Sequence, residues 1–310
     1  MNDAAARLRY LSDTIALLFP AAEGGAARAY SLLPHAAVPR RLAPRVWWHR
    51  ALGRAVPVPS GGETIADHLA EVFGLPIRVT LRVRPARRAN RKPLLEAYGP
   101  EGLLAYVKIG DSDRARALVR NEAATLRALA DEPLKTVCPP AVLHHGEWRG
   151  LEVLALAPLP VPSRAARVCR RVPAPLVHAA VREIAALRPG EPHSWHGDFA
   201  PWNLARGADG RLLVWDWERF GSGVPLGFDA VHLFFHRALR RMRPEDAARA
   251  CVAQALPTLA PYGLSAARAR RTACHYLITL ADRHAADGHQ PLGPPARWLT
   301  PLIDEQEAVL

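Results

Sequence analysis

The periodicity of the apolar residues changes along the chain, and this change restricts the fold more than any other feature of the sequence. Three stretches between residues 77 and 110 are rich in branched and aromatic residues and predict antiparallel strands: IRVTLRV, PLLEAYG and LLAYVKIG. A helix is predicted from Asp113 to Ala130, followed by one more apolar strand in GLEVLALAPLP. Beyond Pro175 the sequence is predicted to be mostly helical. We therefore expect an α+β fold, with an antiparallel sheet in one part and helices in the other.

Three parts of the chain follow from this pattern. Residues 1–74 are predicted to form short helices, interrupted by VPRRLAP and VPVPSGG, and the sequence assigns no role to this extension. Its last helix, IADHLAEVFG, is expected to start at Thr64 or Ser60 and to end at Gly74. Residues 75–158 contain the predicted sheet, and residues 159–310 the predicted helical part. A stripe at helical spacing is expected to face the core there: Cys274, Leu277, Ile278 and Ala281.

The composition is that of a globular protein without a membrane span. Hydrophobic residues make up 49% and charged residues 23%, and no apolar run approaches the roughly 20 residues that cross a bilayer. The N-terminus lacks the basic and apolar pattern of a secretion signal. The four cysteines are scattered and form neither a CxxC pair nor a disulfide framework. These features favour a cytoplasmic location and no membrane partner.

The formal net charge of +12 raises the question of nucleic-acid binding. Of the 41 lysines and arginines only three are lysines, and the remaining 38 arginines are dispersed along the chain. Neither a zinc-finger spacing nor an RNA-binding signature with interleaved aromatic residues occurs among them. We therefore expect no specific nucleic-acid partner. A basic protein that binds nucleic acid is the alternative hypothesis, and it would explain the net charge.

Two charged residues fall at positions where apolar side chains are expected. Alternation along LLAYVKIG places Lys108 on the strand face shared by Leu104 and Tyr106. On the helix that follows, Glu122 lies within an apolar stripe made of Leu118, Thr125, Leu126 and Leu129. An unpaired buried charge is costly, so the sequence predicts an ion pair between Lys108 and Glu122. The alternative is a lysine that extends to solvent and a glutamate that borders a hydrated groove.

The loop WHGDFAPWNL brings together His196, Asp198 and Asn203, and the strand LLVWDWERF carries Asp216 thirteen residues later. Magnesium prefers oxygen ligands and is held by few protein groups together with substrate phosphates, which makes Asn203 and Asp216 its candidate ligands. Asp198 is then free to orient a hydroxyl group. A strand lysine, a loop aspartate, an asparagine five residues later and a metal-binding aspartate are the components of kinase phosphoryl transfer.

Several other polar residues have simpler interpretations. His193 and His196 could suggest zinc, but no cysteine or third histidine stands at ligand spacing, so a structural role is favoured for His196. Asp229 is expected either to cap the next helix or to anchor the loop that carries Asp198. Trp202 is expected to pack against the protein rather than to stack on a substrate.

Taken together, HGDFAPWNL, LLVWDWE and YVKI…NEAATLRAL resemble the aminoglycoside phosphotransferase and choline kinase superfamily, which has a two-lobed, protein-kinase-like fold. The resemblance covers about residues 76–240. It implies that residues 75–158 form a nucleotide-binding lobe and residues 159–310 a catalytic and substrate-binding lobe. Carried over by position, it implies that Asp198 is the catalytic base, His196 braces the loop, Asn203 and Asp216 bind Mg²⁺, Lys108 contacts phosphate, Glu122 is its partner, and Glu218 supports the metal indirectly.

The predicted function is therefore phosphoryl transfer from ATP, or alternatively GTP, with Mg²⁺, to a hydroxyl group of a small molecule such as a sugar, an aminoglycoside-like compound or another alcohol. The alternative is a catalytically silent kinase-like protein that binds nucleotide as a scaffold or regulator. Two arginine clusters in the predicted helices, residues 240–243 and 268–271, favour a neutral or anionic acceptor over a polycation.

Overall fold

The computed structural model describes residues 3–21, 26–33, 40–50, 53–60, 62–83, 91–161, 172–188, 192–288 and 292–300. The chain divides into two compact units. Unit 1 comprises Met1–Arg120 and Ala141–Pro158, and unit 2 comprises Asn121–Pro140 and Leu159–Leu310. In the described parts, no helix combines the length and the apolar character needed to cross a membrane.

Unit 1 is built on an eight-stranded sheet in which every neighbouring pair of strands is antiparallel. The described strands up to Leu156 are β1 (Ala27–Leu33), β2 (Arg41–Pro44), β3 (Arg54–Pro59), β4 (Arg78–Arg82), β5 (Leu94–Gly99), β6 (Gly102–Gly110), β7 (Val137–Cys138), β8 (Val142–Trp148) and β9 (Leu151–Leu156). All of them except β7 belong to this sheet. Their order in the sheet is β3-β1-β2-β4-β5-β6-β9-β8. The first two helices, α1 (Asp3–Leu18) and α2 (Ile65–Phe73), contribute Leu11, Leu18, Ile65 and Leu69 to the core of this unit.

The three strands predicted between residues 77 and 110 are confirmed as β4, β5 and β6, which lie side by side in the sheet. In β6, the alternating residues Ala105, Val107 and Ile109 are fully buried. The other face carries Lys108 together with Leu104 and Tyr106, as the alternation predicted, and Lys108 is half-buried. The predicted ends of α2 are also confirmed, since the Thr64 hydroxyl accepts a hydrogen bond from the Asp67 amide and Gly74 ends the helix at a φ of 66°.

The prediction of short helices for residues 1–74 is wrong in its middle part, where the chain forms β1, β2 and β3 instead. The prolines of VPVPS were interpreted as breakers of regular structure, but β3 lies at the edge of the sheet and, among the described strands, pairs only with β1. Proline is tolerated on an edge strand because its missing N–H need not face a neighbouring strand.

Unit 2 is mostly helical, and with the antiparallel sheet of unit 1 this confirms the predicted α+β class. Its helices are the C-terminal part of α3 (Asp113–Ala130), then α4 (Ala174–Ala185), α5 (Phe228–Ala238), α6 (Pro244–Ala253), α7 (Ala255–Leu259) and α8 (Ala266–Asp287). Four short strands accompany β7 in two small sheets: β10 (His193–Trp195), β11 (Leu204–Arg206), β12 (Leu212–Val214) and β13 (Gly221–Val224).

The two helices for which a buried stripe was predicted differ in outcome. In α3 the predicted stripe is confirmed, because every member is buried: Leu118, Glu122, Thr125, Leu126 and Leu129. In α8 the stripe is wrong in part, since Ile278 is 46% exposed, whereas Tyr276 and Leu277 are fully buried. The buried face of α8 is rotated toward Thr272, Ala273, Tyr276 and Leu280, and this rotation brings a tyrosine hydroxyl into the interior.

Candidate active site

The loop between β10 and β11 holds Asp198 through contacts with its own neighbours. The Asn203 side-chain amide donates from Nδ2 to the Asp198 carbonyl oxygen and to Asp198 Oδ2, both at 2.9 Å. The Asp198 amide donates to Nδ1 of His196 at 3.1 Å. His196 is fully buried, and its ring packs edge-on against Trp217 at a centroid distance of 4.6 Å. These contacts fix both the backbone and the carboxylate of Asp198.

Asp229, at the start of α5, holds the loop that carries Asp198 through hydrogen bonds to its backbone. Its carboxylate accepts hydrogen bonds from the amides of His196 at 2.8 Å and Gly197 at 3.3 Å. Asp229 is only 2% exposed, and the N-cap of α5 is Gly227, which has no side-chain bond to offer. Of the two roles predicted for Asp229, the structure shows the loop anchor rather than the helix cap.

Gly197 allows the loop to approach a second loop closely. Its φ of 81° lies in the left-handed region, and a Cβ atom at this position would overlap the carbonyl oxygen of Arg219. The Arg283 guanidinium, from α8, donates to the Gly197 carbonyl oxygen. The order His196, Gly197, Asp198 is therefore required locally, because only glycine fits where the two loops meet.

The second loop, after β12, carries Asp216 in a sparsely populated backbone conformation, with φ 73° and ψ 52°. Aspartate tolerates this left-handed region better than most residues. The turn that follows Asp216 is held by side chains from the C-terminal part of α3, which belongs to unit 2. Glu122 Oε1 accepts from the Trp217 amide at 3.2 Å, and Asn121 Nδ2 donates to the Glu218 carbonyl oxygen at 3.0 Å. Outliers of this kind are frequent at functional sites, where the surrounding structure enforces them.

Three carboxylates converge at this turn, from Glu122, Asp216 and Glu218. Each offers a ligand atom within 4.8 Å of the other two, and Glu122 and Glu218 are buried. Buried like charges repel unless a cation or a proton compensates them. The donor set consists entirely of oxygen, which is what Mg²⁺ prefers. Because Asn203 uses Nδ2 for its contacts with Asp198, its carbonyl oxygen Oδ1 can serve as a further ligand. The residues present therefore fit a magnesium ion.

The electrostatics couple Asp198 to this carboxylate group. Burial raises the pKa of Asp198 above its ordinary value, and the negative charge of Asp216 raises it further. His236, His196 and Arg283 act in the opposite direction and favour the charged carboxylate. Asp198 is thus a carboxylate next to a candidate cation site, with its basicity increased by its surroundings.

Two residues of this site were missed in the sequence analysis. His232 on α5 places Nε2 at 3.2 Å from Asp198 Oδ1, and the Tyr276 hydroxyl on α8 lies 3.1 Å from His232 Nδ1. The pair His232 and His236, four residues apart on one helix, was a usable signal, because such residues share a helix face. Tyr276 gave no signal of its own, since an aromatic residue in a helix stripe predicts only burial.

Six of the seven residues to which the resemblance assigned a role lie in unit 2, whereas Lys108 lies in unit 1 on β6. The ion pair between Lys108 and Glu122 stays a prediction. The expectation that Trp202 is packed is wrong for much of its surface, since it is 52% exposed. Its ring lies nearly perpendicular to that of His236, at a centroid distance of 5.1 Å.

A pH dependence of stability follows from Asp229. Burial raises the pKa of Asp229 from 3.8 to about 7. The two amide donors and Arg283 favour the charged form and act in the opposite direction, but burial is the larger effect. Between about pH 4 and 7 the folded protein thus keeps a proton that the unfolded chain has released. The contribution of Asp229 to the free energy of unfolding therefore falls as the pH rises through this window, by at most about 1.4 kcal/mol per pH unit.

We expect wild type to lose stability relative to Asp229→Asn as the pH rises from 4.5 to 7, because the asparagine does not ionise. Urea unfolding of both proteins across this range measures the difference. Asp209→Asn is the matched control, since Asp209 is exposed and its contact with Arg211 lowers its pKa. A difference between wild type and Asp229→Asn that is independent of pH would contradict the assignment.

Comparison with known proteins gives matches only among solved structures. No family model and no curated protein matches the chain. WbdD, a bifunctional kinase-methyltransferase, is 18% identical over 71% of this chain and 47% of its own, with a TM-score of 0.36. The aminoglycoside phosphotransferase APH(2'')-IIa, solved in a ternary complex with streptomycin and ATP, is 14% identical over 73% of this chain and 94% of its own, with a TM-score of 0.40.

A third solved structure is the PknI kinase domain of Mycobacterium tuberculosis, 17% identical over 66% of this chain and 95% of its own, with a TM-score of 0.34. The chain spans about half the length of WbdD.

Proposed function

We propose that this protein is an ATP- and Mg²⁺-dependent phosphotransferase that acts on a hydroxyl group of a small molecule, with GTP as the alternative donor. The observation that carries the proposal is the geometry around Asp198. Its carboxylate is oriented by Asn203 and is coupled electrostatically to Asp216, which belongs to a group of three carboxylates, two of them buried. A base next to a cation site is the arrangement that phosphoryl transfer to a hydroxyl requires.

In this reaction Asp198 accepts the proton of the acceptor hydroxyl while the hydroxyl oxygen forms a bond to the γ-phosphorus. The bond between the γ-phosphorus and the β-γ bridging oxygen breaks, and ADP leaves. Asn203 and Asp216 would hold Mg²⁺, which neutralises charge that develops on the phosphate oxygens. His196 keeps the Asp198 loop in place through its buried contacts.

The remaining predicted residues have supporting roles in the proposal. Lys108 contacts the phosphates of the nucleotide, and Glu122 is its partner. Glu122 also fixes the turn after Asp216 through the Trp217 amide. Glu218 supports the metal indirectly from its buried position. A catalytically silent scaffold is less well supported, because such a protein has no need of an oriented carboxylate beside a second one.

For the acceptor we propose a neutral or anionic hydroxyl compound. The arginines of both clusters are exposed: Arg240, Arg241, Arg243, Arg268, Arg270 and Arg271. Within the described residues, His232 contacts the Asp198 carboxylate, and His236 and Arg283 favour its charged form. A polycation loses water on binding and needs opposite charge in return. Specific nucleic-acid binding is not part of the proposal, since the arginines are dispersed along the sequence.

The test is a screen for ATP consumption with sugars, nucleosides, phosphorylated alcohols, choline-like alcohols and aminoglycosides, each with and without Mg²⁺. We expect Mg²⁺-dependent turnover, with a higher kcat/KM for a neutral or anionic acceptor. Saturable phosphorylation of a kanamycin-like compound at micromolar KM would overturn the acceptor class. ATP consumption that is unchanged without Mg²⁺ would overturn the metal requirement.

The Lys108 assignment gives a separate prediction. Lys108→Met is expected to lower kcat by about 100-fold, because a charge on the transferring phosphate loses its cation. The melt should stay cooperative, since the methionine keeps the apolar part of the side chain. Lys135→Met is the control, because Lys135 is also one of the three lysines and is exposed. Wild-type kinetics for Lys108→Met would refute the phosphate contact.

A further inference from the structure

Three side chains from distant parts of the sequence form a continuous chain that ends at the proposed base. The Tyr276 hydroxyl is 3.1 Å from His232 Nδ1, and His232 Nε2 is 3.2 Å from Asp198 Oδ1. Tyr276 is fully buried and His232 is 1% exposed. The other carboxylate oxygen, Oδ2, accepts from Asn203. Each oxygen of Asp198 therefore has its own partner.

The protonation of this chain can be worked out from the environment. Burial raises the pKa of the Tyr276 hydroxyl well above its ordinary value, so the tyrosine keeps its proton. Burial, and then the charge of Arg283, lower the pKa of His232 well below its ordinary value, so the ring is neutral. A neutral imidazole has one donor and one acceptor nitrogen, and the hydrogen bond at one nitrogen determines the state of the other.

Only one tautomer is compatible with a base that is ready to accept a proton. A charged carboxylate can only accept, so Nε2 of His232 must carry the hydrogen that faces Asp198. Nδ1 is then the acceptor, and the Tyr276 hydroxyl donates to it. In the opposite tautomer two acceptors would face each other at 3.2 Å.

We propose that Tyr276 and His232 are positioning residues: the tyrosine hydroxyl donates to Nδ1 and, together with the Asp198 carboxylate at the other nitrogen, stabilises the histidine tautomer whose Nε2–H donates to Oδ1 of Asp198. The catalytic consequence rests on the proposed function, whereas the hydrogen-bond chain does not. With Asn203 on Oδ2, this chain holds the plane of the Asp198 carboxylate. The residues act on Asp198 and need not touch the substrate.

The neighbouring His236 allows an alternative interpretation, a metal site, in which the ring hydrogen of His232 would lie on the other nitrogen. Ligand atoms of Asp198, His232 and His236 lie within 4.8 Å of one another, a donor set that Zn²⁺ also accepts. A metal bound at Nε2 would leave the ring hydrogen on Nδ1, facing Tyr276. The tautomer of His232 therefore distinguishes a positioning chain from a metal site.

The experiment is ¹⁵N NMR of the full-length protein labelled at its histidines, recorded without substrate or added metal. Protonated and unprotonated ring nitrogens have well separated ¹⁵N shifts, and the His232 signals are assigned by their loss in His232→Gln. We expect hydrogen on Nε2 in wild type and a larger fraction of the Nδ1–H form in Tyr276→Phe, because one of the two contacts that favour the Nε2–H form is removed. Hydrogen on Nδ1 in wild type would overturn the proposal, and a spectrum that changes with Zn²⁺ alone would assign the cluster to a metal.

Kinetics supply the second measurement. Tyr276→Phe keeps the ring and removes only the donor, so kcat is expected to fall about tenfold, equivalent to one hydrogen bond, with the nucleotide KM unchanged. Tyr262→Phe is the matched control, because within the described residues the buried Tyr262 hydroxyl has no hydrogen-bond partner. It should change neither kcat nor the His232 spectrum.

The outcomes separate the two proposals. A protein without phosphoryl transfer but with the expected His232 tautomer would refute the proposed function and leave the hydrogen-bond chain intact. An active protein in which Tyr276→Phe changes the tautomer without lowering kcat would refute the positioning role. If Tyr276→Phe does not fold, the tautomer of the wild-type protein still decides the proposal.

Discussion

Replacing Asp198 by alanine is expected to lower kcat by about a thousandfold or more while nucleotide binding stays nearly unchanged. The proposed base accepts the proton of the acceptor hydroxyl, and loss of a general base typically costs between about 10²- and 10⁴-fold. Nucleotide affinity should persist because the proposed metal ligands, Asn203 and Asp216, are still present. Steady-state kinetics and calorimetric titration with ATP measure the two quantities separately.

Asp209→Ala is the control for this experiment, since Asp209 is an exposed aspartate whose carboxylate pairs with Arg211. It should leave both kcat and nucleotide affinity unchanged. Retained turnover in Asp198→Ala would exclude Asp198 as the base, and a matching loss of nucleotide affinity would indicate that Asp198 acts on the metal instead.

Replacing Asp216 by asparagine is expected to weaken both Mg²⁺-dependent nucleotide binding and turnover. Asparagine also tolerates the left-handed backbone found at this position, at φ 73°, so the change removes charge without adding strain. A bound metal contributes several kcal/mol to the transition state, and we expect kcat/KM to fall about 100-fold. Calorimetric titration of Mg²⁺ into the protein with nucleotide present tests the binding part.

Asp209→Asn serves as the matched control, because it makes the same chemical change at an exposed site. An unchanged Mg²⁺ titration in Asp216→Asn would contradict the metal assignment. A loss of turnover with normal Mg²⁺ binding would place Asp216 in a different role, such as orienting Asn203 or Asp198.

Local signals in the sequence predicted the central part of the fold. Helix α3 carries its apolar residues at helical spacing, and α2 has a threonine at its start and a glycine at its end. Strands β4, β5 and β6 alternate or cluster apolar residues between turn-prone segments. Asp198, Asn203 and Asp216 could also be predicted as site residues, because the two loops that carry them are close to each other in the sequence.

What the sequence did not predict depends on contacts between distant residues. The prolines of β3 indicate a break until the strand is known to lie at a sheet edge. His232 and Tyr276 lie 34 and 78 residues beyond Asp198, and only the packing of α5 and α8 brings them to its carboxylate. Glu122 likewise reaches the turn at Trp217 across 95 residues. Periodicity reports which side of an element is buried and not which residue it meets.

The most direct test of the central claim follows the γ-phosphate itself. The protein is incubated with Mg²⁺ and ATP labelled in the γ-phosphate, together with the hydroxyl compounds of the screen, and label is measured in each acceptor. We predict that wild type transfers label to at least one small-molecule hydroxyl and that Asp198→Ala transfers none above the blank. Label that remains in ATP with every acceptor in the wild-type protein, or transfer that is equal in Asp198→Ala, would contradict the account.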